Sequence, residues 1–306
     1  MPLVGELAAL ATSLCFSLSS IVFTFSGREL GSILVNRTRL LIAILLVMLL
    51  HLLLYGQLLP INAGNERWFW LGLSGFVGLA LGDGFLFQAF ILIGPRLSML
   101  MMALAPVLGA IMAWIFLGEN LSLTAIVGII VTVGGILIVV AERREDSSAN
   151  AETKAIPTNR RRYVIGLLCG LGGGLGQAGG LILSKLGLVG GFPALSGNLI
   201  RLIVAGVIIW ILAIANRQLI SSYRDLKAHP RALLFVTGGT ILGPVLGVWL
   251  SLVAVQNADV GIVSTLSSLM PIFLIPISYF VYGERITRQA VFGTVVAIVG
   301  MILLFV

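Results

Sequence analysis

Asp83 stands in the run Gly82-Asp83-Gly84, well inside an uninterrupted apolar stretch at residues 68–90. A carboxylate at the centre of a membrane-spanning helix costs about 2.5–3.5 kcal/mol on insertion scales, so it must face protein or water. A partner or a proton should then neutralise it. The residue type leaves two roles open: a coupling-proton site or cation anchor, and one half of a buried structural ion pair. The position 165 residues further on is Val248, so any role of Asp83 belongs to one part of the chain only. Arg39 and Arg201 lie in the apolar stretches 32–55 and 194–215. Each can snorkel to headgroups, or line a cavity as a cation that attracts or gates an anionic group such as a carboxylate. Asn36 and Asn198 precede them by three residues, which puts each pair on one helical face. A face with two polar side chains is expected to turn inward to the bundle. At about 1.5 Å rise per residue, Arg39 lies about 10 Å and Asp83 about 15 Å in from the same membrane side. Helices joined in sequence tend to be neighbours, so the two are predicted to face one interior and to interact directly or through water.

Weaker polar candidates follow. Gln177 interrupts a glycine-rich stretch, Gly170 to Gly180, where small residues permit close helix packing or bending; it reads as a substrate contact or an interhelical hydrogen bond. A phosphate-cradling loop is excluded there, because no strand precedes it. Ser13, Ser17 and Ser20 in the first apolar run, and Ser264, Ser267 and Ser268 in the ninth, form polar stripes. Ser17 and Ser267 are taken as the substrate-facing members, although such hydroxyls often bond only their own backbone. Glu119, Glu284 and Asp259 precede apolar runs and are expected to complement helix N-termini. His51, His229, Cys15 and Cys169 form no metal or nucleophile constellation, so the sequence predicts no catalytic residues, no metal and no cofactor.

The elements that must position these residues are written in the composition. Of 306 residues, 58% are hydrophobic and 10% are charged, and the mean hydropathy is +1.11. A soluble domain carries about 25% charged residues; this chain cannot clothe a water-facing surface, and lipid is its main solvent partner. The apolar runs are continuous rather than alternating, which excludes a barrel. The net charge of +7 sits between the runs, as in a membrane protein setting its orientation, and does not point to nucleic acid. Ten runs are long enough to span about 30 Å of hydrocarbon: residues 3–25, 32–55, 68–90, 95–117, 121–141, 163–184, 194–215, 232–255, 260–282 and 287–306. The first follows no Lys or Arg and exceeds a signal core, so it reads as a retained helix.

The chain also repeats itself. Pro106, Gly118-Glu119, Gly128 and Gly135 recur as Pro271, Gly283-Glu284, Gly293 and Gly300, all at an offset of 165, while Asn36-x-x-Arg39 recurs as Asn198-x-x-Arg201 at 162. An ungapped repeat of this length marks a duplicated unit. The expected organisation is a five-helix repeat at 1–141, a polar basic linker at 142–162 ending in Arg160-Arg161-Arg162, and a second five-helix repeat at 163–306. Five is odd, so the second unit must cross the membrane in the opposite sense. The fold class is therefore all-α integral membrane, ten helices as two inverted repeats, an architecture of secondary transporters.

On these doubled motifs the chain resembles the drug/metabolite transporter superfamily, specifically its EamA-type members, over essentially its whole length apart from 142–162. The resemblance implies a bacterial-type carrier in the cytoplasmic (inner) membrane, with runs one to four and six to nine around a central cavity and five and ten peripheral. It implies export of amino acids, other metabolites or drugs, without selecting among them. The reading adopted is alternating-access export of small metabolites, chiefly amino acids or related compounds, with Asp83 as a candidate for proton coupling. The alternative is a membrane-embedded enzyme acting on lipid or lipid-linked substrates, which would need a catalytic constellation at bilayer depth. No oligomeric state is assigned. Basic residues crowd the connections after odd-numbered runs, and the positive-inside rule puts those connections in the cytoplasm and both termini outside. EamA-type relatives are drawn the other way round.

Overall fold

With no water in hydrocarbon, each spanning segment must satisfy its own backbone, and helices do so locally. The computed structural model describes residues 3–117, 122–149, 160–257, 266, 269–282 and 287–305, and these are helical with short turns and no strand. In chain order the helices are α1 (Val4–Leu30), α2 (Ser32–Tyr55), α3 (Asn65–Gly75), a π-helical turn π1 (Phe76–Gly82), α4 (Asp83–Met102), α5 (Ala105–Leu117), α6 (Leu123–Ala149) and α7 (Arg160–Gly187). There follow α8 (Ala194–Ala215), α9 (Leu219–Ala228), α10 (Pro230–Thr240), a second π turn π2 (Ile241–Gly247), α11 (Val248–Asn257), α12 (Met270–Tyr282) and α13 (Arg288–Phe305). Among the described residues seven helices are long and apolar enough to cross a membrane. The outward faces carry large apolar side chains such as Phe280, 82% exposed, and Leu53, 73% exposed, which water would not tolerate over so wide an area.

The fourth apolar run is less regular than a single helix. Gly94 (φ 79, ψ 167) breaks α4 in front of Pro95, a backbone position glycine adopts without strain. A second break at Ala103 and Leu104 separates α4 from α5. In the ninth run, α12 is 13 residues long; Ser264, Ser267 and Ser268 of the run, and Asp259 before it, lie outside the described residues, as do Glu119 and Glu284. The polar stretch at 142–162 keeps helical backbone at both ends, as α6 runs to Ala149 and α7 begins at Arg160. Glu, Arg and Ala are strong helix formers, and composition alone does not stop a helix as it leaves the membrane.

The repeat is visible in the elements. The segments α3, π1 and α5 are followed 165 residues later by α10, π2 and α12 with identical bounds, residue for residue. In each π turn the next helix's first N–H reaches back five residues, Asp83 to Gly78 and Val248 to Gly243. Pro244 opens the second turn by withholding an N–H; the first has Leu79 at that place and opens without a proline.

The doubled glycines have a packing reason. Helices α6 and α13 lie against each other so closely that a side chain at Gly135 would meet Gly293 and Ala297, and one at Gly300 would meet Gly128 and Thr132. Ascending one helix means descending the other, so the two run antiparallel. A further apolar cluster joins α2 and α8 through Leu40, Ala43, Leu199 and Leu202.

Candidate functional site

Asp83 opens α4, directly after π1. Its carboxylate is buried and receives Arg39 Nη2 on Oδ2 at 2.6 Å. Arg39, two turns into α2, is also buried, so it does not snorkel. The same Nη2 donates to Asn36 Oδ1 at 3.1 Å, as one-turn spacing on a shared face requires. Asn36 Nδ2 in turn donates to the carbonyls of Leu79 and Ala80 at 3.2 and 3.3 Å. The π turn explains why those oxygens accept a side chain: its wider loops displace carbonyls from the α-helical ladder. Phe87, one turn after Asp83, lies beneath the guanidinium with its ring centre 5.2 Å from Arg39 Cζ.

The other half of the chain reaches this pair through α7. Gly82 and Gly176 meet face to face, and Gly78 meets Gly180 in the same manner, so glycines bring two backbones together where side chains would hold them apart. Gln177, next to Gly176, thereby reaches Asp83, donating from Nε2 to Oδ1 at 3.3 Å. A hydrogen bond from Ser74 Oγ to the Gly180 carbonyl at 2.6 Å fixes the same seam.

Arg201 of α8 approaches from a third side. A methyl placed on Gly78 would lie 3.4 Å from Arg201 Nη2 and 3.5 Å from Gln177 Oε1, and the guanidinium is near enough to Asp83 to be attracted by it. The structure therefore brings together Asp83, Arg39, Asn36, Gln177 and Arg201. It does not bring Asn198, which is half-buried and makes no side-chain hydrogen bond among the described residues. Ser17 is buried, bonding Ser13 O at 2.7 Å and Met270 O at 3.1 Å, and makes no polar contact with the Asp83 group. Ser267 lies outside the described residues.

Three contacts of the group are not among the residues read from the sequence. Phe87 is legible from its i,i+4 spacing to Asp83, which puts its ring on the face of the carboxylate. The carbonyls of Leu79 and Ala80 are not, since π1 has no proline to announce it. His51 is buried at the far end of α2, linking Gln57 O at 2.6 Å and Ser196 Oγ at 2.9 Å, a structural tie to α8. No group of three or more His, Cys, Asp or Glu capable of holding a metal ion occurs among the described residues.

Residues 3–141 and 164–306 each match the model of the EamA-like transporter family. No curated protein matches the sequence. A solved structure described only as a crystal structure of a protein is similar over 98% of this chain and 94% of its own, at 14% identity and a TM-score of 0.56; that likeness concerns the fold.

Proposed function

The chain belongs to the EamA-like transporter family, and from that premise we propose a secondary carrier of small metabolites that works by alternating access around the Asp83 group. The observation that carries this reading is the buried Arg39–Asp83 pair bridged by Gln177 from the second matched half. An intramembrane ion pair in one repeat, contacted by a polar side chain of the other, is where a transporter of this architecture concentrates its chemistry. In this reading ten spans form two inverted five-helix repeats, and transport rocks one repeat against the other.

The α6–α13 seam supports the inverted relation. Gly135 meets the equivalents of Gly128 and Thr132 in the other half, and Gly300 meets Gly128 and Thr132 themselves. Such reciprocal contacts are the mark of a two-fold axis, and antiparallel helices require that axis to lie in the membrane plane. The solutes are amino acids or related compounds, exported across a bacterial cytoplasmic membrane, with Asp83 taking up a proton when Arg39 parts from it.

The test is efflux from proteoliposomes loaded with labelled amino acids at a series of pH values. Native protein gives saturable flux that varies with pH; Asp83→Asn weakens it and flattens the pH profile while still reaching the membrane. Normal transport by Asp83→Asn at every pH would sink the coupling role, and no saturable flux from native protein would sink the carrier.

A further inference from the structure

The charges that meet in the interior do not cancel. Asp83 supplies one negative charge, and Arg39 neutralises it through the 2.6 Å ion pair. Gln177 takes up the second carboxylate oxygen. Arg201 remains. Among the described residues its guanidinium makes no hydrogen bond and no ion pair, and its Nε is buried without an acceptor. An unpaired cation at this depth is unfavourable by several kcal/mol unless an anion or water joins it. Arg201 is also less buried than Arg39 and Asp83, being half-buried where they are buried, and it stands outside their ion pair. Gln177 Oε1 also borders Gly78, within 3.5 Å of where a methyl on that glycine would lie, and is an acceptor not occupied by Asp83 because Gln177 spends its amide N–H there.

We propose that Arg201 binds the carboxylate of the transported solute, with Gln177 Oε1 accepting a hydrogen bond from a donor on the adjacent carbon, so that the substrate class is α-amino or α-hydroxy carboxylates. The proposal rests on the carrier reading and deepens it. A guanidinium offers a planar fork of donors that matches a carboxylate. The solute's amine is dispensable, because Asp83 is already held by Arg39 and a hydroxyl can donate to Gln177 as an ammonium does. An amine lacking the carboxylate finds no free anion and does not bind.

Three ligand sets test this on the full chain in detergent by thermal shift: the common amino acids, the amines formed by removing their carboxylates, and the matching 2-hydroxy acids, each at millimolar concentration. At least one member of both carboxylate sets should raise the melting temperature of native protein, and no amine should. Arg201→Gln should melt at or above the native temperature without ligand, as it loses no hydrogen bond, while binding the responsive carboxylates about tenfold more weakly or worse. Arg201→Lys should recover part of that affinity. The proposal is overturned if no carboxylate shifts native protein, if amines shift it as well as carboxylates do, or if Arg201→Gln binds like native. Flux of amines without carboxylates would overturn it and leave the carrier standing.

Discussion

Arg39 and Asp83 hold each other in place of water, and removing either leaves the other's charge buried without its ion-pair partner. The loss of one partner from a buried pair is destabilising by about 3–5 kcal/mol. Arg39→Gln is therefore expected to lower the melting temperature sharply, and adding Asp83→Asn to it should restore part of the loss; a double variant as unstable as the sum of the singles would mean that the pair is not coupled. Asn36→Ala, which strips two bonds to carbonyls freed by π1, should be destabilising by about 1–3 kcal/mol in the same assay. Much of this was legible in the sequence. A lone carboxylate between two glycines in an apolar run requires a partner, and an Asn three residues before an Arg requires a shared face. Asn198 and Arg201 have the same spacing without the same bond, because the acid that organises Arg39 has valine, Val248, at its counterpart. Spacing gives the face; the partner decides whether it is used.

At the scale of elements the glycines divide into two kinds. Gly135 faces α13 at a distance that excludes a side chain, whereas nothing lies within 4 Å of a Cβ on its neighbour Gly134. Gly135→Leu and its equivalent Gly300→Leu are expected to be destabilising by at least about 1–3 kcal/mol through overpacking, and to similar extents. Gly134→Ala should instead stabilise by about 0.5–1 kcal/mol, since alanine restricts the unfolded chain and favours the helix. Melting curves of the three variants check both statements. The repeat of these glycines was readable from their offset; that the two copies pack on each other, rather than each within its own half, was not, because a period records equivalence and says nothing of contact. The π turns were hidden for a related reason: only Pro244 advertises one of them.

Across the whole molecule, distant segments are tied by side chains: Ser222 Oγ of the short helix α9 and the adjoining Gln218 Oε1 accept hydrogen bonds from Arg37 at 2.8 and 3.0 Å, joining the start of α2 to the connection after α8. Reporter fusions near Asn150 and at Val306 are expected to read cytoplasmic for the first and external for the second; an active cytoplasmic reporter at Val306 would reverse the orientation. The π turns bear on how such a molecule moves. Each π turn carries one residue more than the α spacing needs. If one relaxed to α geometry, the helix beyond it would advance like a screw, by about 100° and 1.5 Å. In the first half the leading residue on that screw is Asp83, which would be carried off Arg39; in the second it is Val248, which leaves nothing behind. A cycle built on both turns would then have a single charge-separating stroke, electrically lopsided although the two segments share the same bounds.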